Sequence, residues 1–176
     1  MRKITAIIIL ATIFTSCEEQ FNSLAEIDQP VLFKVEYMNF AWGYDHEGYI
    51  IDKTGSVRSF DRDDEWNFPD DNGYISISEL TENVDQLPEV SQTVDSDLLL
   101  KYFNKMHRVD PEALTDRENV SVDAGSTRYS GFILESKQDT CREVVLKVVG
   151  DWSYENTSRE AKQIYKWLSE IYEDLK

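Results

Sequence analysis

The stretch RYSGFILESKQDTCREVVLKVV, residues 128–149, decides the fold class of this chain. Its two ends, residues 128–135 and 142–149, are rich in aromatic and β-branched side chains, which favour strands. A short segment separates the two ends. The stretch therefore predicts a β-hairpin whose strands pair in antiparallel fashion.

Two further regions upstream show the pattern of strands. Alternate positions from residue 31 are apolar: Val31, Phe33, Val35 and Tyr37. Lys34 and Glu36 fall on the opposite face of that strand. The pattern changes near Met38, which indicates a bulge or a second face that also becomes buried. Residues 48–60 then predict a hairpin, because residues 52–55 suit a tight turn that ends in glycine.

Three helices complete the fold. The spacing of apolar residues predicts helices over about 76–86 and 95–107, and a longer one from Ser158, where Thr157 and Glu160 form a capping box. We therefore expect an α+β fold. Its largely antiparallel sheet has about five strands (two hairpins plus an N-terminal strand), with two central helices and a long C-terminal amphipathic helix.

The segment PDDNGYISISEL, residues 69–80, has a spacing close to that of a calcium-binding EF-hand loop. Counted from Phe68, Asp70 and Asn72 occupy the third and fifth positions, and Glu79 occupies the twelfth. Phe68 stands where the loop needs its first aspartate. Asp70, Asn72 and Glu79 are therefore the candidate ligands of a calcium ion, which is the one cofactor that the sequence suggests.

The same segment also suits the start of a helix. Asp-Asn-Gly favours a turn in which Gly73 takes a positive φ. Ser76 and Glu79 then have the spacing of a capping box, and Ile75 can pack on Leu80 as a hydrophobic staple. This second interpretation, without any metal, is the one that we favour.

The segment YMNFAWGYDHEGY, residues 37–49, concentrates aromatic side chains around an Asp-His-Glu triplet. If exposed, these side chains could stack on a glycan or anchor a protein partner, which makes Trp42, Tyr44 and His46 candidate ligand contacts. The alternative, which we favour, is that the aromatic residues belong to a hairpin and the core. A lone histidine among acids has no zinc-site spacing.

Signatures of catalysis are missing from the sequence, which has no GxSxG, P-loop, HExxH or GxGxxG motif. Cys141 could act as a nucleophile with His46 or His107, but its strand context favours a buried structural role. Asp123, in Asp-Ala-Gly, and Asp151, in Gly-Asp-Trp, each lie close to a glycine in a loop, as a glycosidase carboxylate could. Among 34 acidic residues, however, such a pair carries little information.

The N-terminus carries a targeting segment. MRK is followed by an apolar run over residues 4–14 that is too short for a membrane-spanning helix. The run ends at Thr-Ser-Cys and two glutamates, and so resembles a bacterial lipoprotein signal with Phe14 in place of the more usual leucine. The resemblance implies a signal peptide over 1–16, lipidation of Cys17, a tether over 17–29 and one domain over 30–176. The alternative is an ordinary cleaved signal.

The chain is strongly acidic, with a net charge of −16. That charge repels phosphate backbones, and we therefore exclude nucleic acid as a partner. We expect a lipid-anchored outer-membrane protein, periplasmic or surface-exposed, that acts as a non-catalytic binding module for a protein or glycan. The alternatives are a small surface hydrolase with paired carboxylates and a calcium-stabilised accessory subunit of an envelope complex.

Overall fold

The computed structural model describes residues 20–61, 65–135 and 138–175. Within these ranges the chain forms an α+β fold with nine strands and three α-helices. The strands are β1 (Val31–Asn39), β2 (Asp45–Asp52), β3 (Ser56–Asp61), β4 (Tyr74–Ser76), β5 (Gln92–Thr93), β6 (Glu118–Asn119), β7 (Ser126–Glu135), β8 (Thr140–Gly150) and β9 (Trp152–Glu155). The helices are α1 (Ile77–Asp85), α2 (Ser96–Met106) and α3 (Arg159–Asp174).

The strand pairs in the described part of the chain are all antiparallel, which confirms the predicted largely antiparallel sheet. The order across the sheet is β5-β3-β2-β1-β7-β8-β9-β6, and β4 also pairs with β8. The five expected strands correspond to β1, β2, β3, β7 and β8. The expected number is too low because β4, β5, β6 and β9 have two to four residues, too few for a periodic pattern.

Both faces of the sheet are covered. Helices α2 and α3 pack on the first face, over the larger hydrophobic cluster. Helix α1 packs on the second face, over a smaller cluster that includes Phe60, Phe132 and Cys141. The two helices in the middle of the sequence are therefore not a central pair, because each covers a different face of the sheet.

The helix starts follow the predicted capping chemistry, with one correction. The Ser76–Glu79 capping box is present at the start of α1. The cap of α3 is Ser158, whose hydroxyl oxygen accepts a hydrogen bond from the Ala161 N–H, so the predicted capping box at Thr157 is wrong. The Thr157 hydroxyl instead donates to the Ala113 carbonyl.

The N-terminal region is only partly described. The predicted signal peptide over residues 1–16 and the predicted lipidation site, Cys17, lie outside the described residues. Residues 20–29 of the predicted tether lie against the domain: the Phe21 ring contacts Phe103, and Ile27 and Gln29 are buried. The chain then enters β1 at Val31.

Candidate functional site

A cluster of buried charges lies on the second face of the sheet. Lys34, Glu36 and Glu143 are 3%, 1% and 8% exposed. The Lys34 Nζ atom lies 2.9 Å from Glu36 Oε1 and 3.0 Å from Glu143 Oε1. One ammonium group therefore bridges two carboxylates that belong to different strands.

The cluster extends from these three residues to both sides. His46 Nε2 lies 3.3 Å from Glu36 Oε2, and Arg128 Nη1 lies 3.2 Å from Glu143 Oε2. Arg128 is also the direct cross-strand partner of Glu36 in the β1–β7 register. The two carboxylates are thus surrounded by hydrogen-bond donors on neighbouring strands.

Burial and ion pairing oppose each other in this cluster. Burial would raise the pKa of Glu36, but Lys34, the hydrogen bond from His46 and the charge of Arg128 lower it from 4.5 to about 2. Burial would likewise lower the pKa of Lys34, and the charges of Glu143 and Glu36 raise it instead. Glu36 and Lys34 are therefore both ionised at neutral pH.

Two adjoining grooves open on this side of the molecule and share the lining residues Met38, Arg117 and Arg128. We call the first, of about 480 Å³, the distal groove. It is lined by Met38, Asn39, Phe40, Ala41, Arg117, Asp123, Gly125, Ser126, Arg128, Val148, Asp151, Trp152 and Tyr154. The second, of about 620 Å³, has Glu36 and Glu143 in its lining and is bordered by residues 68–73. The charge cluster thus contributes to the wall of this second groove.

Arg117 makes cation–π contacts with two aromatic rings of the distal groove. The carbon of its guanidinium group lies 4.1 Å from the centroid of the Trp152 ring and 5.9 Å from that of Tyr154. Within the described ranges, two other arginines of the grooves form ion pairs, Arg128 with Glu143 and Arg142 with Glu112, whereas Arg117 forms none. Its charge therefore faces the groove without a carboxylate partner among those residues.

Large apolar side chains are exposed at one end of the sheet, which we call the distal end and define by residues 40–44, 120–125 and 150–152. Phe40, Trp42 and Val122 are 72%, 87% and 75% exposed. These segments meet at one end of the sheet because of the strand register. Asn39 of β1 pairs with Asp45 at the end of the β1–β2 ladder, and Ser126 of β7 pairs with Gly150 of β8. The distal groove lies beside these side chains.

The three candidate contact residues of the β1–β2 region have different positions. Trp42 is exposed and Tyr44 is about one-third exposed, whereas His46 is buried. The His46 ring lies among aromatic neighbours, with centroids 4.9 Å from Phe60 and 5.2 Å from Phe68. Trp42 and Tyr44 are thus available to a ligand, while His46 is buried beside Glu36.

The carboxylates of the calcium-like loop accept hydrogen bonds from other groups of the same segment. Asp70 Oδ1 accepts hydrogen bonds from the N–H groups of Asn72 (2.9 Å) and Tyr74 (2.8 Å). Glu79 Oε2 accepts from the N–H (2.9 Å) and hydroxyl (2.7 Å) groups of Ser76. The hydrogen bond from the Tyr74 backbone lowers the pKa of Asp70, and the hydrogen bond from the Ser76 side chain lowers that of Glu79.

Metal binding at Asp70, Asn72 and Glu79 stays a prediction. In residues 20–61, 65–135 and 138–175, no group of three or more His, Cys, Asp and Glu residues is arranged to hold a metal ion. The geometry agrees with the interpretation of this segment as a helix start.

The other candidate catalytic groups serve structural contacts. Cys141 is buried, and burial raises the pKa of its thiol to about 12. Asp151 fastens the loop that contains Asp123: its carboxylate accepts hydrogen bonds from the N–H groups of Ala124 (3.0 Å) and Gly125 (3.1 Å). The Ala124 backbone hydrogen bond is the main reason that the pKa of Asp151 is lowered.

Several residues of the site escape the sequence patterns. Lys34 and Glu36 alternate with apolar residues, as side chains on a solvent-facing surface do, and their partner Glu143 lies far along the chain. Arg117 lies in a segment without clear periodicity. Two features of the sequence lead to this end of the molecule: the aromatic cluster over residues 37–49, and the acids Asp123 and Asp151 near glycines.

No protein-family model, no curated protein and no solved structure matches the chain. None of the three α-helices in the described part is both long and apolar enough to cross a membrane. The function must therefore be inferred from the site itself.

Proposed function

We propose that this chain is a lipid-anchored protein of the bacterial envelope whose domain binds a ligand, without catalysis, at the distal end. The observation that supports this most is the exposure of Phe40, Trp42 and Val122 beside the distal groove. Exposed apolar patches rimmed by polar residues are typical of binding sites on soluble proteins. Aromatic side chains in particular bind glycans and protein partners well.

The direction of β1 suits a lipid on Cys17. The chain enters β1 at Val31 and reaches Asn39 after nine residues. At about 3.3 Å per residue, the strand carries the chain roughly 30 Å from that entry point. A domain anchored through its N-terminus would therefore present the distal end away from the membrane.

The paired carboxylates favour binding over hydrolysis. Acid–base catalysis by two carboxyl groups needs environments that separate their pKa values, with one raised towards neutrality. The pKa of Glu36 is lowered to about 2, and Lys34 bridges Glu36 and Glu143. Both carboxylates already have a structural partner.

Binding is tested with the full-length protein purified in detergent, probed against glycan arrays and envelope protein extracts. We expect Trp42→Ala to weaken binding by about tenfold, as for a moderate hot-spot residue, without lowering the melting temperature. Leu98→Ala is the matched control, because Leu98 is an exposed apolar residue on α2. If Trp42→Ala and Phe40→Ala both leave binding unchanged, the distal end is not the site.

The anchor is tested separately. Cells that express the chain are labelled with a fatty-acid analogue, and the wild-type protein is expected to become labelled and to sediment with membranes. Cys17→Ser should abolish the label. Labelling that persists in Cys17→Ser would contradict the proposed lipidation site.

A further inference from the structure

We propose that the distal groove recognises a carboxylate on a compact, singly charged ligand. Arg117 and Arg128 would bind the carboxylate, and a ring or apolar part of the ligand would lie against Trp152 and Tyr154. This ligand class presupposes the binding function proposed above and adds the chemistry of recognition.

Arg117 is suited to an anion because of how it is held. Its guanidinium carbon lies over the Trp152 ring, 4.1 Å from the centroid. A guanidinium group offers a planar fork of N–H donors that matches the two oxygens of a carboxylate. Among the described residues, no carboxylate forms an ion pair with Arg117. A ligand carboxylate could therefore bind Arg117 without first displacing a carboxylate of these residues.

Arg128 supplies a second cation with a fixed position. Its Nη1 atom is bound to Glu143 Oε2 at 3.2 Å, and its side chain is 34% exposed. Glu143 in turn accepts hydrogen bonds from Lys34 and Ser130. The side chain of Arg128 is thus held from behind, while its exposed part lines the groove that Arg117 also lines.

Two acids, Asp123 and Asp151, line this groove together with the arginines, and the hydrogen bonds of Asp151 are already satisfied. The carboxylate of Asp151 accepts from the N–H groups of Ala124 and Gly125 and from the Ser121 hydroxyl, the last at 3.0 Å. It therefore competes weakly for Arg117 and Arg128. These hydrogen bonds are made by residues of the same loop that borders the groove.

The net charge and the size of the groove limit the ligand. A chain with a net charge of −16 repels polyanions at long range, so a single carboxylate is favoured over a highly charged polymer. The volume of about 480 Å³ lies in the range of pockets for small molecules. Asn39 and Ser126 in the lining offer additional polar contacts.

The full-length protein in detergent is titrated with three matched pairs of an acid and its amide, and binding is measured by ligand-observed NMR. The pairs are glucuronate and glucuronamide, hippurate and hippuramide, and a short acetylated peptide with a free or amidated C-terminus. They separate a sugar acid, an aromatic acid and a peptide C-terminus as the source of the carboxylate. For at least one pair, we expect the acid to bind about tenfold or more tightly than the amide, with affinity that falls as salt rises.

Variants of Arg117 and Arg128 test whether the preference for acids over amides arises in the distal groove. Arg117→Gln should bring acid and amide to equal affinity. Arg128→Lys should weaken acid binding about tenfold, because lysine keeps a charge near Glu143 but lacks the planar fork. Arg159→Gln, on an exposed arginine that lines neither groove, is the matched control and should leave the preference unchanged.

Three results would overturn the proposal. The first is that none of the acids binds at concentrations up to about 10 mM, which corresponds to an affinity of less than about 3 kcal/mol. The second is that the preference for acids survives in Arg117→Gln. The third is that acids and amides bind equally well while Trp42→Ala weakens the binding of both. In this last case the carboxylate inference fails and the binding function of the distal end stands.

Discussion

Replacement of Lys34 by methionine tests whether the buried charges act as one unit. Methionine keeps most of the length of the side chain but removes the ammonium group that bridges Glu36 and Glu143. Loss of one partner of a buried ion pair typically costs about 3–5 kcal/mol, because the remaining charge stays buried. The lowered pKa of Glu36 gives a similar free energy. Each pKa unit is worth about 1.4 kcal/mol, so lowering its pKa from 4.5 to about 2 corresponds to about 3 kcal/mol at pH 7.

The pH dependence has a definite sign. A carboxylate whose pKa is lowered by folding stabilises the native state above its unfolded pKa, and this contribution is lost as the pH falls. For Glu36 in the wild-type protein, the loss occurs between pH 4.5 and about 2. Without Lys34, burial raises the pKa of Glu36, and the carboxyl group can take up a proton at a higher pH. The cost of Lys34→Met should therefore be largest at pH 7 and at least about 1 kcal/mol smaller at pH 4.

Urea unfolding followed by tryptophan fluorescence measures both effects. At pH 7 we expect Lys34→Met to lower the midpoint by about 2 M, given typical denaturant slopes. The double variant Lys34→Met/Glu36→Gln should recover most of this loss, because it removes one charge of each sign and leaves the Arg128–Glu143 pair intact. If Lys34→Met costs less than about 1 kcal/mol, or if its cost is the same at pH 4 and pH 7, the buried charges do not depend on Lys34 in this way.

Three further outcomes follow from the structure. Ser76→Ala should lower the free energy of unfolding by about 1 kcal/mol through loss of the α1 cap, and calcium should not change the unfolding midpoint of the wild-type protein. A calcium-dependent rise in melting temperature that Glu79→Gln abolishes would instead support a metal site. Cys141 should react with a thiol reagent at pH 8 only after unfolding, since burial raises its pKa to about 12; fast reaction of the native protein would contradict its burial. In urea unfolding, Trp167→Ala should lower the free energy of unfolding by about 3–5 kcal/mol, whereas Trp42→Ala, at an exposed position, should change it by no more than about 0.5 kcal/mol. Similar losses for both variants would contradict the burial of Trp167 and the exposure of Trp42.

The sequence predicts those elements whose cause is local. The strands of the 128–149 hairpin and the helix that ends the chain repeat their apolar pattern over many residues, and they are present as β7, β8 and α3. Strands such as β5 and β6 have two residues each. Their extended conformation depends on a neighbouring strand that already exists, so no local pattern reveals them.

The buried charges illustrate a different limit. In β1, charged residues alternate with apolar ones, which is the usual pattern of a half-exposed strand. Lys34 and Glu36 are nevertheless buried because Glu143 and Arg128 lie beside them on other strands. Whether a charged position faces solvent thus depends on pairings between distant segments, which one sequence does not reveal.

The aromatic segment over residues 37–49 divides between the two interpretations that its composition allows. Tyr49 is fully buried in β2, where its hydroxyl group donates a hydrogen bond to the Leu168 carbonyl (2.6 Å). Trp42 lies between β1 and β2 and is exposed. Aromatic content is therefore a poor guide to burial here, because the position of the strand ends decides which rings pack in the core.

The stability of the fold alone does not require buried charges on a face of the sheet. Replacement of buried ion pairs by well-packed apolar residues is often neutral or stabilising. An apolar face, however, could not hold Arg128 by its Nη1 atom at the edge of the distal groove, as Glu143 does here. The Lys34→Met/Glu36→Gln variant separates the two roles, because it should fold stably yet leave Glu143 without its ammonium neighbour. If this variant binds carboxylates as tightly as the wild-type protein, Lys34 and Glu36 stabilise the fold without positioning Arg128 for a ligand.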